Sequence, residues 1–249
     1  MSAQHDPAFV VRLSDFAEHS QIATLYTRSA GLVRLIAKGV RRGTRQRFAT
    51  GLDLLEQGEA GYSLSRQAGA LGTLAEWVQR DLHAPLRARL ATLYAASYAA
   101  EALVALSVEE DPHPTLFDAL VQLLSDLDAA AGSDAALARA RTLPLLTRFV
   151  ETLAGEAGFA PNLESCVDCG RIRPAERPAF FTARGGGLVC RACADRFPDR
   201  RKFPAGAFAA EVADDQRWRL LDHHLSQLCG HPFRTTEALT RALEPRPDR

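Results

Sequence analysis

Over the first 80 residues apolar and polar positions alternate with a period near two. FVVRL (9–13), QIATLYTR (21–28) and LVRLIAK (32–38) are rich in β-branched and aromatic residues, and each predicts a strand. Ser29-Ala30-Gly31 between the last two has the length of a hairpin loop. Alternation on 32–38 puts Arg34, Ile36 and Lys38 on one face and Val33, Leu35 and Ala37 on the other, so one face is basic. Seven glycines between 39 and 72 suit bulges and bent strands better than helix interiors. A short-stranded closed barrel of the OB type fits this length, and that fold commonly offers a strand face to single-stranded nucleic acid.

The period begins to change at Thr73–Gln79, and Pro85 is placed to open a long helix. Leu86, Leu90, Leu93, Tyr94, Ser97, Glu101 and Val104 follow helical spacing and predict its buried stripe. Pro112 and Pro114 interrupt. A second helix from about Thr115 to Ala131 aligns Leu116, Leu120, Leu123, Leu124 and Leu127, with Gly132-Ser133-Asp134 as exit and next cap. A third, from Asp134 to about Ala157, carries Pro144, which is expected to kink or split it. Phe180-Phe181-Thr182 predicts a short strand before the turn Gly185-Gly186-Gly187. Two more helices are expected at 218–229 and 235–243, the second with a threonine cap, before a frayed tail. The fold class is therefore α+β and multidomain: an OB-type barrel (1–80), a helical bundle (81–163 and 204–249) and a four-cysteine module inserted at 164–203.

That module carries the most specific chemistry. Cys166 and Cys169, then Cys190 and Cys193, form two C-x-x-C pairs with twenty residues between them. Two tight turns can bring four thiolates onto one ion, as in zinc ribbons, and a full sulfur shell leaves no open position for catalysis. Two disulfides, or a redox C-x-x-C, are the alternatives; the first lacks a secretory signal to support it and the second needs no second copy. Cys229 lies in a helical pattern and fits a small core residue.

Charge changes the picture next. The formal net charge is +0, yet His19–Leu52 has no acid and seven bases: Arg28, Arg34, Lys38, Arg41, Arg42, Arg45 and Arg47. Leu90–Ala138 inverts this, with eight acids and no Lys or Arg. A solvated face is the plain alternative for each run. The absence of acids, the alignment of Arg34 with Lys38 and the glycine-flanked KGVRRGTRQR favour phosphate contacts, with Tyr26 or Phe48 as candidates to stack on a base. The last 86 residues, with fifteen bases and twelve acids, are mixed. No apolar run approaches the roughly 20 residues of a membrane span, and the N-terminus has neither a basic nor an apolar leader region, so a cytoplasmic protein is expected.

Enzyme signatures are missing: there is no H-E-x-x-H, G-x-S-x-G or Walker loop. His223 and His224 are adjacent on a predicted helix and point about 100° apart, a poor geometry for one ion. The chain is read as a non-enzyme.

These features resemble the RecO family of bacterial recombination and repair proteins. IATLYTRSAGLVRLIAKGVRR (22–42) resembles the family's N-terminal strand, glycine turn and K-G-x-R-R ending. SYAAEAL (97–103) resembles its Tyr-x-x-Glu-Leu helix, with Ala102 departing at the Leu position. GFAPNLESCVDCG (158–170) and FFTARGGGLVCRAC (180–193) are similar to its zinc-module lines. The resemblance implies an OB-fold, a helical domain and a zinc finger. It implies a mediator that binds single- and double-stranded DNA, anneals complementary strands and, with RecR, helps place RecA on DNA coated by single-strand binding protein (SSB). Carried over are the four cysteines as metal ligands and Lys38, Arg41 and Arg42 as DNA contacts; Arg28, Arg34, Arg45 and Arg47 extend that set on charge alone. Some family members lack some of these cysteines, so the shared activity does not depend on metal. The competing function is a protein-interaction scaffold with a structural zinc site and no DNA binding.

Overall fold

The computed structural model describes residues 4–39, 51–65, 67, 69–81, 83–174, 177–208 and 214–244. The alternating N-terminal segment forms β1 (Gln4–Ala17), β2 (Ser20–Thr27), β3 (Gly31–Lys38), β4 (Gln57–Ser63) and β5 (Gly72–Asp81). They close a barrel in the order β1-β2-β3-β5-β4, with β4 pairing back onto β1. All pairs are antiparallel except β3 with β5, which is the crossing that an OB-type barrel requires. Thr73–Gln79, where sequence periodicity points towards helix, is thus the closing strand. Its alternation is imperfect because Glu76 and Gln79 are half-buried against neighbours while Val78 is exposed.

Val33, Leu35 and Ala37 point into the barrel with Leu25, Tyr62, Leu74 and Trp77. Gly58 is where the barrel needs a missing side chain, since a Cβ there would lie 2.7 Å from the Trp77 ring. Arg34 and Lys38 point outward, as alternation demands.

A second core joins the barrel to the helices. Phe9 and Tyr26 leave the barrel wall and stack near Phe117, with ring centroids 5.3 and 6.3 Å away. The hairpin turn seals the junction: Gly31 has φ +68°, and a Cβ on it would come within 2.1 Å of the Asp111 carbonyl oxygen. Beside it the Glu110 N–H donates to the Leu32 carbonyl at 2.9 Å.

The helices are α1 (Ala84–Arg87), α2 (Leu90–Leu106), α3 (Pro114–Ala131), α4 (Ala135–Glu156), α5 (Asp214–Cys229) and α6 (Thr235–Leu243). The long helix expected from Pro85 is broken at Ala88-Arg89, where Arg89 is extended (φ −125°, ψ 125°). Its buried face also differs from the expected leucine stripe. Leu90 is exposed, whereas Ala91, Ala95, Ala96, Ala99, Ala100 and Ala102 are buried. α2 is the central helix, and alanines let α4 and α6 approach it closely. The α3 stripe is buried as expected, and Asp134 caps α4 through the Ala136 and Leu137 N–H groups, both at 3.0 Å. Pro144 does not split α4, which runs as one helix.

Residues 179–203 add β6 (Ala179–Thr182), β7 (Gly187–Val189) and β8 (Arg201–Phe203), a small sheet in the order β7-β6-β8. It packs on α5 through Phe181, whose ring lies 5.4 Å from that of His224.

Candidate nucleic-acid interface and metal centre

The outer face of β1-β2-β3 is set by register. Arg12 opposes Thr24, which opposes Arg34, and Ser20 opposes Lys38. This places Arg12, Arg34 and Lys38 on one side of the sheet, and Arg12 and Arg34 line a cavity of about 310 Å³ shared with Glu109 of the segment between α2 and α3. Arg12 escaped the sequence reading because it stands alone in FVVRL; the alternation of that strand with Arg34 two strands away is the signal that would have found it.

The predicted basic residues divide into three groups. Arg28 pairs with Asp118 of α3 through two contacts, and each group holds the other charged: hydrogen bonding to Asp118 raises the Arg28 pKa, and hydrogen bonding to Arg28 lowers that of Asp118. Arg34 reaches Glu109 at 3.4 Å. Both arginines therefore face acids of the helical segment that, along the chain, looked like the opposite pole of a dipole. Lys38 is exposed at the end of β3 and has no ion pair among the described residues. Arg41, Arg42, Arg45 and Arg47, with Phe48, lie outside the described residues. Tyr26, the other candidate to stack on a base, is fully buried against Phe117, and burial raises its pKa well beyond the ordinary tyrosine range.

The four cysteines converge. Sγ atoms of Cys166, Cys169, Cys190 and Cys193 all lie within 4.8 Å of one another, and Cys169 and Cys190 are 3.8 Å apart. A tetrahedral thiolate shell with bonds of about 2.3 Å separates its sulfurs by about 3.8 Å, whereas a disulfide requires about 2.05 Å. The donor set fits a metal ion. Local sequence explains the turn: the Gly170 N–H donates to the Cys166 carbonyl at 2.9 Å, with Gly170 at φ +72°. The Cys190 N–H donates to Cys166 Sγ at 3.4 Å. Burial pushes the Cys166 thiol up, but the N–H groups of Cys190, Cys169 and Asp168 outweigh it and bring the pKa to about 6. The side chain of Asp168 raises that of Cys193, the direction a bound dication would reverse.

A second ligand-like group, Asp81, His83 and Asp128, is already used by the protein. Asp128 accepts from His83 Nδ1 at 2.6 Å and from the Leu86 N–H at 3.0 Å, which stitches the end of the barrel to α3.

His224 Nε2 donates to the Phe159 carbonyl at 2.8 Å, and burial lowers its pKa and that of His223. Cys229 packs against the main core, and burial raises its pKa. Tyr98 and Glu101 of SYAAEAL serve as ties. The Tyr98 hydroxyl donates to Asp222 of α5 at 3.0 Å, and Glu101 accepts from the N–H groups of Arg234 and Thr235 at the start of α6. Thr235 does not cap that helix; its own hydroxyl donates to Glu101 at 2.8 Å. Five of the bases of the last 86 residues, mixed with acids along the sequence, line one groove beside Cys190.

Comparison with known proteins agrees with this architecture. Residues 1–81 match the family model for the recombination protein O N terminal, and residues 87–211 match that for the recombination protein O C terminal. The chain is 34% identical over 241 residues to the DNA repair protein RecO of Anaeromyxobacter dehalogenans (strain 2CP-C), covering 94% of this chain and 88% of that protein. It is 27% identical over 246 residues to the DNA repair protein RecO of Pelobacter propionicus, covering 93% and 94%. With an OB-type barrel, a helical bundle and a convergent four-cysteine cluster matched at both ends of the chain, this protein belongs to the RecO family of DNA repair proteins.

Proposed function

We propose that the chain is a non-enzymatic, cytoplasmic DNA-binding mediator of recombinational repair. It captures single- and double-stranded DNA electrostatically, juxtaposes and anneals complementary strands and, with RecR, helps load RecA onto SSB-coated single strands. The observation that carries this reading is the outward face of the OB-type barrel, where Arg12, Arg34 and Lys38 lie on one side and β3 runs directly into the acid-free KGVRRGTRQR. Lys38, Arg41 and Arg42 are assigned as the primary phosphate contacts, with Arg45 and Arg47 beside them. Arg28 and Arg34, engaged by Asp118 and Glu109, would contribute only by exchanging those partners. Contacts of this kind give affinity without sequence preference.

The chain is divided at 1–80 (DNA-binding barrel), 81–163 and 204–249 (helical domain) and 164–203 (cysteine module). Cys166, Cys169, Cys190 and Cys193 would hold one structural zinc ion, which supplies folding energy and, with four thiolates bound, no site for a reacting water. Among the described residues no helix is long and apolar enough to cross a membrane.

The test is a fluorescence anisotropy titration with a single-stranded oligonucleotide at two salt concentrations. A mediator binds tightly at low salt and loses affinity steeply as salt rises. A scaffold that acts only through protein contacts shows negligible binding at both.

A further inference from the structure

The loop after the first C-x-x-C, strand β6 and the second C-x-x-C enclose a groove of about 590 Å³. Arg171, Arg173, Arg177, Arg191 and Lys202 line it, and none of its described lining residues is an acid. The floor is apolar: half-buried Phe180 and the Ile172 side, which is 77% exposed.

Among the described residues Arg171, Arg177, Arg191 and Lys202 make no ion pair with an acid. Three described acids near the cysteines are engaged elsewhere: Asp168 by Arg196 at 2.6 Å, Asp195 by Arg200 at 2.7 Å, and Asp199 by the Thr182 hydroxyl and the Arg184 N–H. Arg173 is partly spent within the fold, donating to the Pro174 and Arg177 carbonyls and lying 5.2 Å over the Phe208 ring. Arg177, Arg191 and Lys202 are exposed and have no ion pair among the described residues. Four thiolates on one dication would place two negative charges behind Cys190. Arg171, Arg177, Arg191 and Lys202 alone exceed that and leave the groove positive.

We propose that this groove binds the phosphate backbone of a single nucleic-acid strand, as a second site separate from the barrel. Guanidiniums arranged along an open channel match phosphate oxygens bidentately. An exposed Ile172 and the edge of Phe180 give bases an apolar surface to lie on, the combination that single-strand channels use. The inference rests on the reading of the chain as a strand-annealing protein and deepens it: two strands held at two sites on one molecule are two strands brought together.

The triple variant R177A/R191A/K202A tests it, since these side chains make no fold contact among the described residues. Melting temperature and metal content are checked first and should match the wild type. Annealing of complementary oligonucleotides should fall about tenfold or more, and crosslinking of a 5-iodouracil oligothymidine to the peptide containing Phe180 should be lost. The salt slope of the groove site should flatten by about two units, the loss of three phosphate contacts. Unchanged annealing and crosslinking in a variant whose wild type binds DNA would overturn the second site and leave the mediator reading intact. Absence of DNA binding by the wild type would overturn both. Binding of oligoglutamate that the variant loses, with annealing unchanged, would assign the groove to an acidic peptide instead.

Discussion

Single residues here often do the opposite of what their type suggests. Glu101 sits in a helix rich in acid-free alanine turns, yet its carboxylate caps a different helix by accepting from Arg234, Thr235 and the Thr235 hydroxyl. Glu101→Ala leaves the first N–H groups of α6 without a partner, so stability should drop by about 1–2 kcal/mol in denaturant melts. Hydrogen exchange should concentrate that loss in residues 235–243. Tyr98 is tied to the same end of the molecule: burial raises its pKa and that of Asp222, and the two share a hydrogen bond. No local pattern announces such ties, because each joins positions more than 120 residues apart. The cysteines are the contrary case. Their two turns are local, so C-x-x-C spacing was enough to foresee their convergence.

At the scale of elements, periodicity identified strands and helices well where one face is dry and the other wet. β3 and α3 are such elements, and their buried faces are those the sequence marks. It misled where an element is surrounded. α2 is buried by alanines on most sides, so the leucines that carry the periodic signal are its less buried residues. β5 breaks the strand period because its alternation is blurred by barrel closure.

The docking of α5 has a pH signature. His224 Nε2 carries the proton it donates to the Phe159 carbonyl, its buried Nδ1 has no partner among the described residues, and burial holds its pKa below the ordinary 6.5. Stability from that ring is fully present above about pH 6.5 and is lost as pH falls through the lower folded value, because the unfolded chain then binds the extra proton. His113 runs the other way: hydrogen bonding to Glu156 raises its pKa, so its contribution is complete below pH 6.5 and fades as pH rises. Melting temperatures from pH 7.5 to 5 should therefore fall less in H224Q than in the wild type. An equal fall in both would remove His224 from the acid response.

For the whole molecule, the charge map read along the chain is folded back on itself. Arg28 and Arg34 meet Asp118 and Glu109, so part of the basic run holds the barrel on the bundle, leaving Lys38 to face outward. Sequence could count the charges but had no means of knowing which of them would be neighbours. The same holds for the cysteine module, where mixed composition conceals a groove lined by cations. On the proposed reading the four-cysteine cluster acts on stability apart from the phosphate contacts assigned to the barrel. C190S/C193S should lower the melting temperature by on the order of 10 °C while single-strand affinity at the barrel changes by less than about threefold. A larger loss of barrel affinity than of stability would put the cysteines in the barrel's binding site itself.

The central claim is that Lys38, at the end of β3, together with Arg41 and Arg42 holds DNA by its phosphates. The measurement that bears on it most directly is the slope of log affinity against log salt for a single-stranded oligonucleotide, compared between the wild type and K38A/R41A/R42A. The account predicts weaker binding at every salt concentration and a slope flatter by about two units in the variant. Identical slopes and affinities for the two proteins would contradict it.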